Sequence, residues 1–280
     1  MSMRKYVIAF MAAAMTAAAE PSIDDTEVAA MPKASALAEA YADYDAERCR
    51  ELLAAGAEVK DVPPLHFAVL MNDIDTCKRL IAAGVDVNAP DRPSPNDPDG
   101  QGQGYTPLML AAERGYADIC RLLIEASAEP DKCTLYECIT PLSLAAKQGY
   151  ADICRMLLDA KADANACTRT CSTPLMLAAR EAQVEVCRIL LGAGSEVNAF
   201  DRYDMTPLHC VVEGAAMHDQ MTPEELRARR ELIALLLSKG ADKTMRDRNG
   251  RTPAEHAAEL KRPELAEELA RSRGGEDEKK

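Results

Sequence analysis

Four cysteines in two short segments have the residue types and spacing for chemistry. Residues 132–141 read KCTLYECITP and residues 166–174 read ACTRTCSTP, which gives the sequence pairs Cys133/Cys138 and Cys167/Cys171. Each pair stands just before a Thr-Pro dipeptide. Two pairs this close are compatible with disulfides, a metal site or a redox centre. The choice depends on the compartment and on the elements that hold the segments.

The other candidates for chemistry are few. His218 and His256 have no cysteine or histidine at the spacing of a metal site. Asp97-Pro-Asp99-Gly resembles the start of a calcium loop but lacks the bidentate glutamate that such a loop needs. We find no Ser-His-Asp or Cys-His set that the sequence brings together. We therefore predict no catalytic residue, no metal and no cofactor, and we do not expect an enzyme.

Composition favours helices and argues against a nucleic-acid ligand. The 280 residues are 48% apolar but only 4% aromatic, with no Trp, a mixture that suits closely packed helices. The formal net charge is −13, and an acidic chain repels phosphate backbones.

The N-terminus has the pattern of a signal peptide. Arg4 and Lys5 precede a short apolar run at 6–15, and Ala17-Ala18-Ala19 fits an A-x-A cleavage site. We expect 1–19 to be removed and 20–34 to be a linker. The alternative is an N-terminal helix that docks on the core. No later segment is apolar enough to span a membrane, so we expect an exported protein, periplasmic or secreted, in a space where disulfides persist.

The middle of the chain repeats itself. The stretches TPLMLAAERGYADICRLLIEA, TPLSLAAKQGYADICRMLLDA and TPLMLAAREAQVEVCRILLGA begin at Thr106, Thr140 and Thr173, and TPLHC begins at Thr206. Their prolines are 34, 33 and 33 residues apart. A fixed period near 33 predicts a solenoid of stacked repeats. In each repeat, Thr is a helix N-cap and Pro occupies the first helical position.

These motifs resemble the ankyrin repeat, whose pattern is T-P-L-H-x-A-A-x-x-G followed by a second helix ending L-L-x-x-G-A-x-x-N. The matching residues are PLHFA at 64–68, TPLHC at 206–210 and LLGAGSEVNA at 190–199. The resemblance implies an all-α ankyrin-repeat solenoid of about seven helix-turn-helix repeats with short β-hairpin fingers. His66 and His209 fall on the motif histidine, which ties neighbouring repeats together in that family.

The resemblance covers 35–270, with 271–280 expected to be a disordered tail. Two insertions interrupt the period, at 92–103 and at about 215–227, and Thr222-Pro223-Glu224-Glu225 predicts a capping box that opens a long helix ending near Ser238. The approximate repeats are 35–61, 62–91, 104–132, 133–166, 167–200, 201–246 and 247–270.

The other six cysteines are predicted to be structural. Five share one position of the second helix that Ile233 takes in repeat six, and the sixth takes a first-helix position held elsewhere by Leu. A residue interchangeable with Ile or Leu behaves as a small hydrophobe. These core cysteines are Cys49, Cys77, Cys120, Cys154, Cys187 and Cys210.

The four cysteines at 133, 138, 167 and 171, which we call the finger cysteines, lie outside the helices. Cys138 and Cys171 take the place that Gly104, Asp204 and Gly250 hold in other fingers, where the turn favours a permissive backbone. Opposed hairpin residues are close enough for a disulfide, whereas equivalent positions on successive fingers are about 10 Å apart. We predict Cys133–Cys138 and Cys167–Cys171 bridges. A four-cysteine zinc site, free thiols or a redox pair are the alternatives.

By resemblance, the function is binding of another protein through the concave face, by a chain expected to be monomeric. The three finger tyrosines 105, 136 and 203 are the preferred anchors, since Tyr and Arg are frequent at binding hot spots. The alternative is that each tyrosine only shields its finger. The projected contacts are Tyr105, Glu113, Arg114, Tyr136, Glu137, Lys147, Gln148, Arg169, Arg180, Glu181, Arg202, Tyr203 and Met205.

Two other functions are alternatives to binding. The finger cysteines are compatible with an exported redox or metal-binding protein. An enzyme with a site across the two insertions has no support beyond the existence of those insertions.

Overall fold

The computed structural model describes residues 63–91, 104–215 and 221–271, together with 47, 48 and 51. The predicted first repeat, first insertion, signal peptide, linker and tail lie largely outside these residues. The described helices, which follow one another in pairs, are α1 (Pro64–Leu70), α2 (Ile74–Ala82), α3 (Pro107–Arg114), α4 (Ala117–Glu125), α5 (Pro141–Gln148), α6 (Ala151–Asp159), α7 (Pro174–Arg180), α8 (Val184–Gly192), α9 (Pro207–Ala215), α10 (Pro223–Ser238), α11 (Pro253–Glu259) and α12 (Pro263–Arg271).

The all-α prediction is confirmed, because the described ranges contain helices and turns but no strand. The fingers are tight turns rather than β-hairpins. None of the helices in those ranges is both long and apolar enough to cross a membrane.

The chain divides into two compact units. Among the described residues, the first unit contains 63–91, 104–111 and 118–128, and the second contains 112–117, 129–215 and 221–271. The second unit therefore holds the last four helix pairs, α5 to α12.

The Thr-Pro dipeptides start helices as predicted. Thr140, Thr173, Thr222 and Thr252 each accept a hydrogen bond from the backbone N–H three residues later, and proline follows at the first helical position. Such a cap satisfies one of the N–H groups that a helix leaves unbonded, and it typically contributes about 1 kcal/mol.

The long helix α10 ends at Ser238 as predicted, but Glu225 does not complete a capping box. Thr222 caps the helix, whereas the Glu225 carboxylate accepts bonds from Nε and Nη2 of Arg229, at 3.1 and 2.8 Å. Arg229 is buried, and its Nη1 donates to the carbonyls of Val211 (2.7 Å) and Arg180 (3.2 Å). The buried arginine thereby connects α10 to α7 and α9.

The core cysteines are packed as the repeat alignment predicts. Ile233, which takes the same place in α10, is completely buried too, so the position accepts a small or branched apolar side chain. Cys49 lies outside the described residues. The completely buried members are Cys77, Cys120, Cys154, Cys187 and Cys210.

The motif histidines tie neighbouring repeats together, as the resemblance implied. His66 Nε2 donates to the carbonyl of Tyr105 at 2.9 Å, and His209 Nε2 donates to the carbonyl of Arg251 at 3.0 Å. His209 Nδ1 also accepts from the backbone N–H of Thr206. Burial lowers the pKa of His66 to about 4, so that ring is neutral at pH 7.

Second helices of the second unit are joined by exposed ion pairs. Arg155 reaches Glu185 at 2.6 Å and Arg188 reaches Glu231 at 3.2 Å, each across to the next repeat. Because all four side chains are largely in water, these pairs add little to stability.

Candidate functional site

Each finger turns through one residue with a left-handed backbone, just before the Thr of the next repeat. This confirms that the position needs a permissive backbone. A non-glycine residue there is strained because its Cβ approaches the following carbonyl. The residues are Gly104 (φ 65°), Cys138 (52°), Cys171 (61°), Asp204 (58°) and Gly250 (76°).

The fingers of the second unit are joined to one another through the main chain. The N–H of Arg169 donates to the carbonyl of Glu137 (2.9 Å), that of Arg202 to Thr170 (3.0 Å) and that of Arg248 to Tyr203 (2.9 Å). We call these four fingers, residues 133–139, 167–172, 201–205 and 247–251, the finger row. These bonds fix the spacing at which the row presents its side chains.

The finger row also carries most of the exposed large apolar surface of the described residues. Tyr136 and Tyr203 were predicted as contacts, whereas Leu135 and Phe200 were not. Leu135 belongs to the finger that is one residue longer than the next, and Phe200 directly precedes the third finger. Their exposed fractions are 72% for Leu135, 43% for Tyr136, 58% for Phe200 and 43% for Tyr203.

Tyr203 lies between two arginines. The guanidinium of Arg202 is 4.8 Å from its ring centroid and donates to its hydroxyl at 2.6 Å, and the guanidinium of Arg248 is 6.0 Å from the same centroid. Arg248 was not among the predicted contacts. Such cation–π contacts hold a flexible side chain in place at an exposed site.

Three arginines occupy equivalent places along the finger row. Arg169, Arg202 and Arg248 are all exposed, and none of them forms an ion pair with another described residue. Glu137 and Asp204 are the exposed carboxylates on the same fingers. The row is therefore locally balanced or slightly basic in a chain whose net charge is −13.

The predicted contacts on the first helices differ in exposure. Lys147, Gln148 and Glu181 are exposed, and Glu113 and Arg114 are partly buried. Arg180 was predicted as a contact, and its guanidinium is partly buried in an ion pair with Glu213 at 2.6 Å. The side chain that was expected to meet a partner is thus held against α9.

Two predicted contacts are buried. Tyr105 is 6% exposed and Met205 is 7% exposed, which leaves each little side-chain surface for a partner. Both follow the left-handed residue of their finger, as Ile139 does in another. Tyr105 was one of three preferred anchors, and its burial leaves Tyr136 and Tyr203 as the two exposed ones.

The finger cysteines are thiols in this structure, and each lies beside its predicted partner. Cys133, Cys167 and Cys171 are exposed and Cys138 is half-buried. The pKa of Cys133 is raised by partial burial and then by the charge and hydrogen bond of Cys138. The pKa of Cys167 is raised by partial burial and then by Cys171, with a smaller effect of Cys138. The described residues contain no group of three or more side chains placed to hold a metal ion.

Family models match the repeats. Models described as ankyrin repeats in three copies match 92–167 and 142–221, and one described as an ankyrin repeat matches 60–92, so the matches together span more than half of the chain. The chain belongs to the ankyrin-repeat family. Ankyrin repeats are generally protein–protein interaction modules and typically non-enzymatic. A search of curated proteins finds no significant match.

Proposed function

We propose that this ankyrin-repeat protein binds another protein through the finger row and the exposed residues at the ends of the first helices α5 and α7, namely Lys147, Gln148 and Glu181. The observation that carries the proposal is the group of exposed apolar side chains on or beside the finger row, led by Leu135, Tyr136 and Tyr203. Large apolar side chains in water are unfavourable unless a partner covers them, and burial of each contributes about 1.5–3 kcal/mol. Tyr and Arg side by side are typical of binding hot spots.

The main-chain bonds between fingers support the same proposal. Because each finger is bonded to the next, the side chains of the row lose little freedom when a partner docks. The arginines beside Tyr203 restrict that ring further. A preorganised row of this kind binds more tightly than the same residues on independent loops.

The experiment is capture of a partner from the native compartment by wild type and by Y136A/Y203A. We expect the double variant to reduce capture at least about tenfold, since each anchor contributes about 1–2 kcal/mol. R155A/R188A, on the ion-paired second-helix face, is the matched control and should capture normally. Circular dichroism and melting check that both variants fold.

Unchanged capture by folded Y136A/Y203A would contradict the proposed surface. A loss of stability without a specific loss of capture would instead show that the tyrosines only shield their fingers.

We also propose that the finger cysteines form Cys133–Cys138 and Cys167–Cys171 disulfides in an oxidising compartment. Each pair would transfer two electrons and two protons to an oxidising disulfide, which leaves as two thiols. The neighbouring thiols support this pairing. A bridge across each turn would also hold the strained residues Cys138 and Cys171 in place. Bridged fingers would lose less entropy on binding.

Mass spectrometry before and after alkylation tests these bridges. Two bridges predict four hydrogens fewer than in the reduced chain, no bound metal and no labelled finger cysteine. Labelling of all four finger cysteines in protein taken from its native compartment would contradict them. A retained metal, or rapid cycling with a thiol–disulfide partner, would favour the redox or metal-binding alternative.

Export is proposed on the sequence pattern of 1–19 alone. N-terminal sequencing of the mature chain should find a start just after Ala19. A chain that keeps Met1 in the cytoplasm would contradict export, and with it the oxidising environment that the disulfides require.

A further inference from the structure

A cavity of about 560 Å³ lies at the end of the finger row, where the fingers of the last two described repeats meet α9 and α11. Its wall includes Tyr203 and Met205, and its polar lining residues are Glu213, Asp247, Arg248, Asn249, Arg251 and His256. Cavities of this size hold a side chain or a small ligand, with apolar walls and a few polar groups that set orientation.

His256 makes this cavity unusual. Its side chain is buried, with the residue only 5% exposed, yet its Nδ1 has no hydrogen-bond partner among the described residues. The nearest carboxylate oxygen, Asp247 Oδ2, is 3.9 Å from Nδ1, too far for a hydrogen bond. His209, whose ring centroid is 6.0 Å away, has bonds to both of its nitrogens. A buried polar nitrogen without a partner is rare in folded proteins.

The charges around the cavity leave one cation without a carboxylate. Asp247 is bound by Arg251 at 2.6 Å, and Arg251 also reaches Glu259 at 2.7 Å. In the same way, Glu213 is bound by Arg180 at 2.6 Å.

Arg248 has no ion pair with a described residue and is placed over the Tyr203 ring. The imidazole of His256 is neutral at pH 7, because burial, and then the charge of Arg251, lower its pKa. It therefore offers one N–H donor to the cavity that Arg248 also lines.

We propose that this cavity binds a carboxylate on an apolar stem, the side chain of a glutamate or aspartate in the protein partner. The carboxylate pairs with the guanidinium of Arg248 and accepts the N–H of His256, and the stem lies against Tyr203. Charge-assisted bonds to a carboxylate are the strongest hydrogen bonds that these groups can form. This assignment rests on the proposed function for its occupant, but the cavity can be tested without a partner.

The probe is N-acetyl-glutamate N-methylamide, with the isosteric glutamine compound as the neutral comparison. Binding is followed by NMR through the ring C–H signals of His256, with those of His209 as an internal reference. We expect a saturable shift of the His256 signals with the glutamate compound and a much weaker one with the glutamine compound. R248Q should weaken binding of the glutamate compound about tenfold.

The matched control is R169Q, because Arg169 is exposed, has no ion pair and occupies the equivalent place two fingers away. It should bind the probe as wild type does. The assignment is overturned if the probe gives no saturable shift, if the glutamine compound binds as well, or if R248Q and R169Q weaken binding equally.

Partner capture separates this assignment from the proposed function. If the probe binds but Y136A/Y203A captures normally, the binding surface is wrong and the carboxylate site stands. If the double variant loses capture but the probe does not bind, the surface stands and the cavity does not hold a carboxylate. R248Q should lower capture if both are correct.

Discussion

Replacing Arg229 with Met tests whether one buried arginine holds the middle of the second unit together. The change keeps an apolar stem of similar length but removes two bonds to the carbonyls of Val211 and Arg180 and a two-fold contact with Glu225. A hydrogen bond from a charged group contributes about 1.5–3 kcal/mol, and breaking a buried pair costs about 3–5 kcal/mol. Since Glu225 is partly exposed to water, we expect R229M to lower the free energy of unfolding by about 3 kcal/mol.

Urea unfolding followed by circular dichroism measures the effect, with R230M as the matched control. Arg230 is the next residue of α10, is exposed, and approaches Glu268 only to 3.7 Å, so R230M should cost less than about 0.5 kcal/mol. R229M/E225Q should be more stable than R229M alone, because the uncompensated carboxylate is removed. An R229M variant within about 1 kcal/mol of wild type, or equal to R230M, would refute this account of how α7, α9 and α10 are joined.

Three further predictions concern a strained turn residue, a buried histidine and the cysteines. Ala182 stands where other repeats have Gly and has a φ of 55°. A182G should therefore raise the free energy of unfolding, measured by urea titration, by about 0.5–1 kcal/mol. A lower free energy of unfolding in A182G would show that the turn is not strained. Burial lowers the pKa of His66 to about 4, so the folded state loses stability as pH falls from about 6.5 toward 4. Between pH 7 and pH 4.5, H66Q should therefore lose about 2 kcal/mol less than wild type, and equal losses would contradict a neutral buried ring. Iodoacetamide should label the finger cysteines of the reduced native protein and spare the described core cysteines, because burial raises the pKa of the core cysteines to about 12. Peptide mass mapping measures the labelling, and a core cysteine labelled as fast as the finger cysteines would contradict this prediction.

The parts of the fold that depend on local rules could be predicted from the sequence. A Thr-Pro dipeptide predicts a capped helix start, and Thr140, Thr173 and Thr252 act as the pattern indicates. The period of 33 predicts stacking because a single helix pair cannot bury its own apolar face. Ile233 takes the second-helix position that cysteine holds in other repeats, which predicted a buried site, and Ile233 is buried.

The site was harder to predict because exposure depends on which way one turn residue points. Tyr105 was expected at the surface, but it follows the left-handed residue of its finger and is buried. Aligning the fingers would not have shown this, because the same position is held by the apolar Ile139 and Met205 but also by the polar Ser172 and Arg251. Leu135 was missed for the opposite reason. The prolines on either side of its finger are 34 residues apart instead of 33, so this finger has one residue more than the next. An extra residue in a tight turn is placed outward.

The arginine at α10 shows a limit that no local pattern removes. Arg229 lies on the buried face of α10 with Leu232, Ile233 and Leu236, where the pattern favours an apolar residue, and its three acceptors come from residues 4, 18 and 49 positions away. Gly214 belongs to the same arrangement, since a Cβ there would collide with the carbonyl of Arg180. The ion pair of Arg180 with Glu213 borders the cavity that His256 lines. The contacts that hold the second unit together and the polar groups offered to a partner thus lie on the same helices. R229M should therefore weaken partner capture as well as stability. Normal capture by R229M would show that the core contacts and the binding surface are independent.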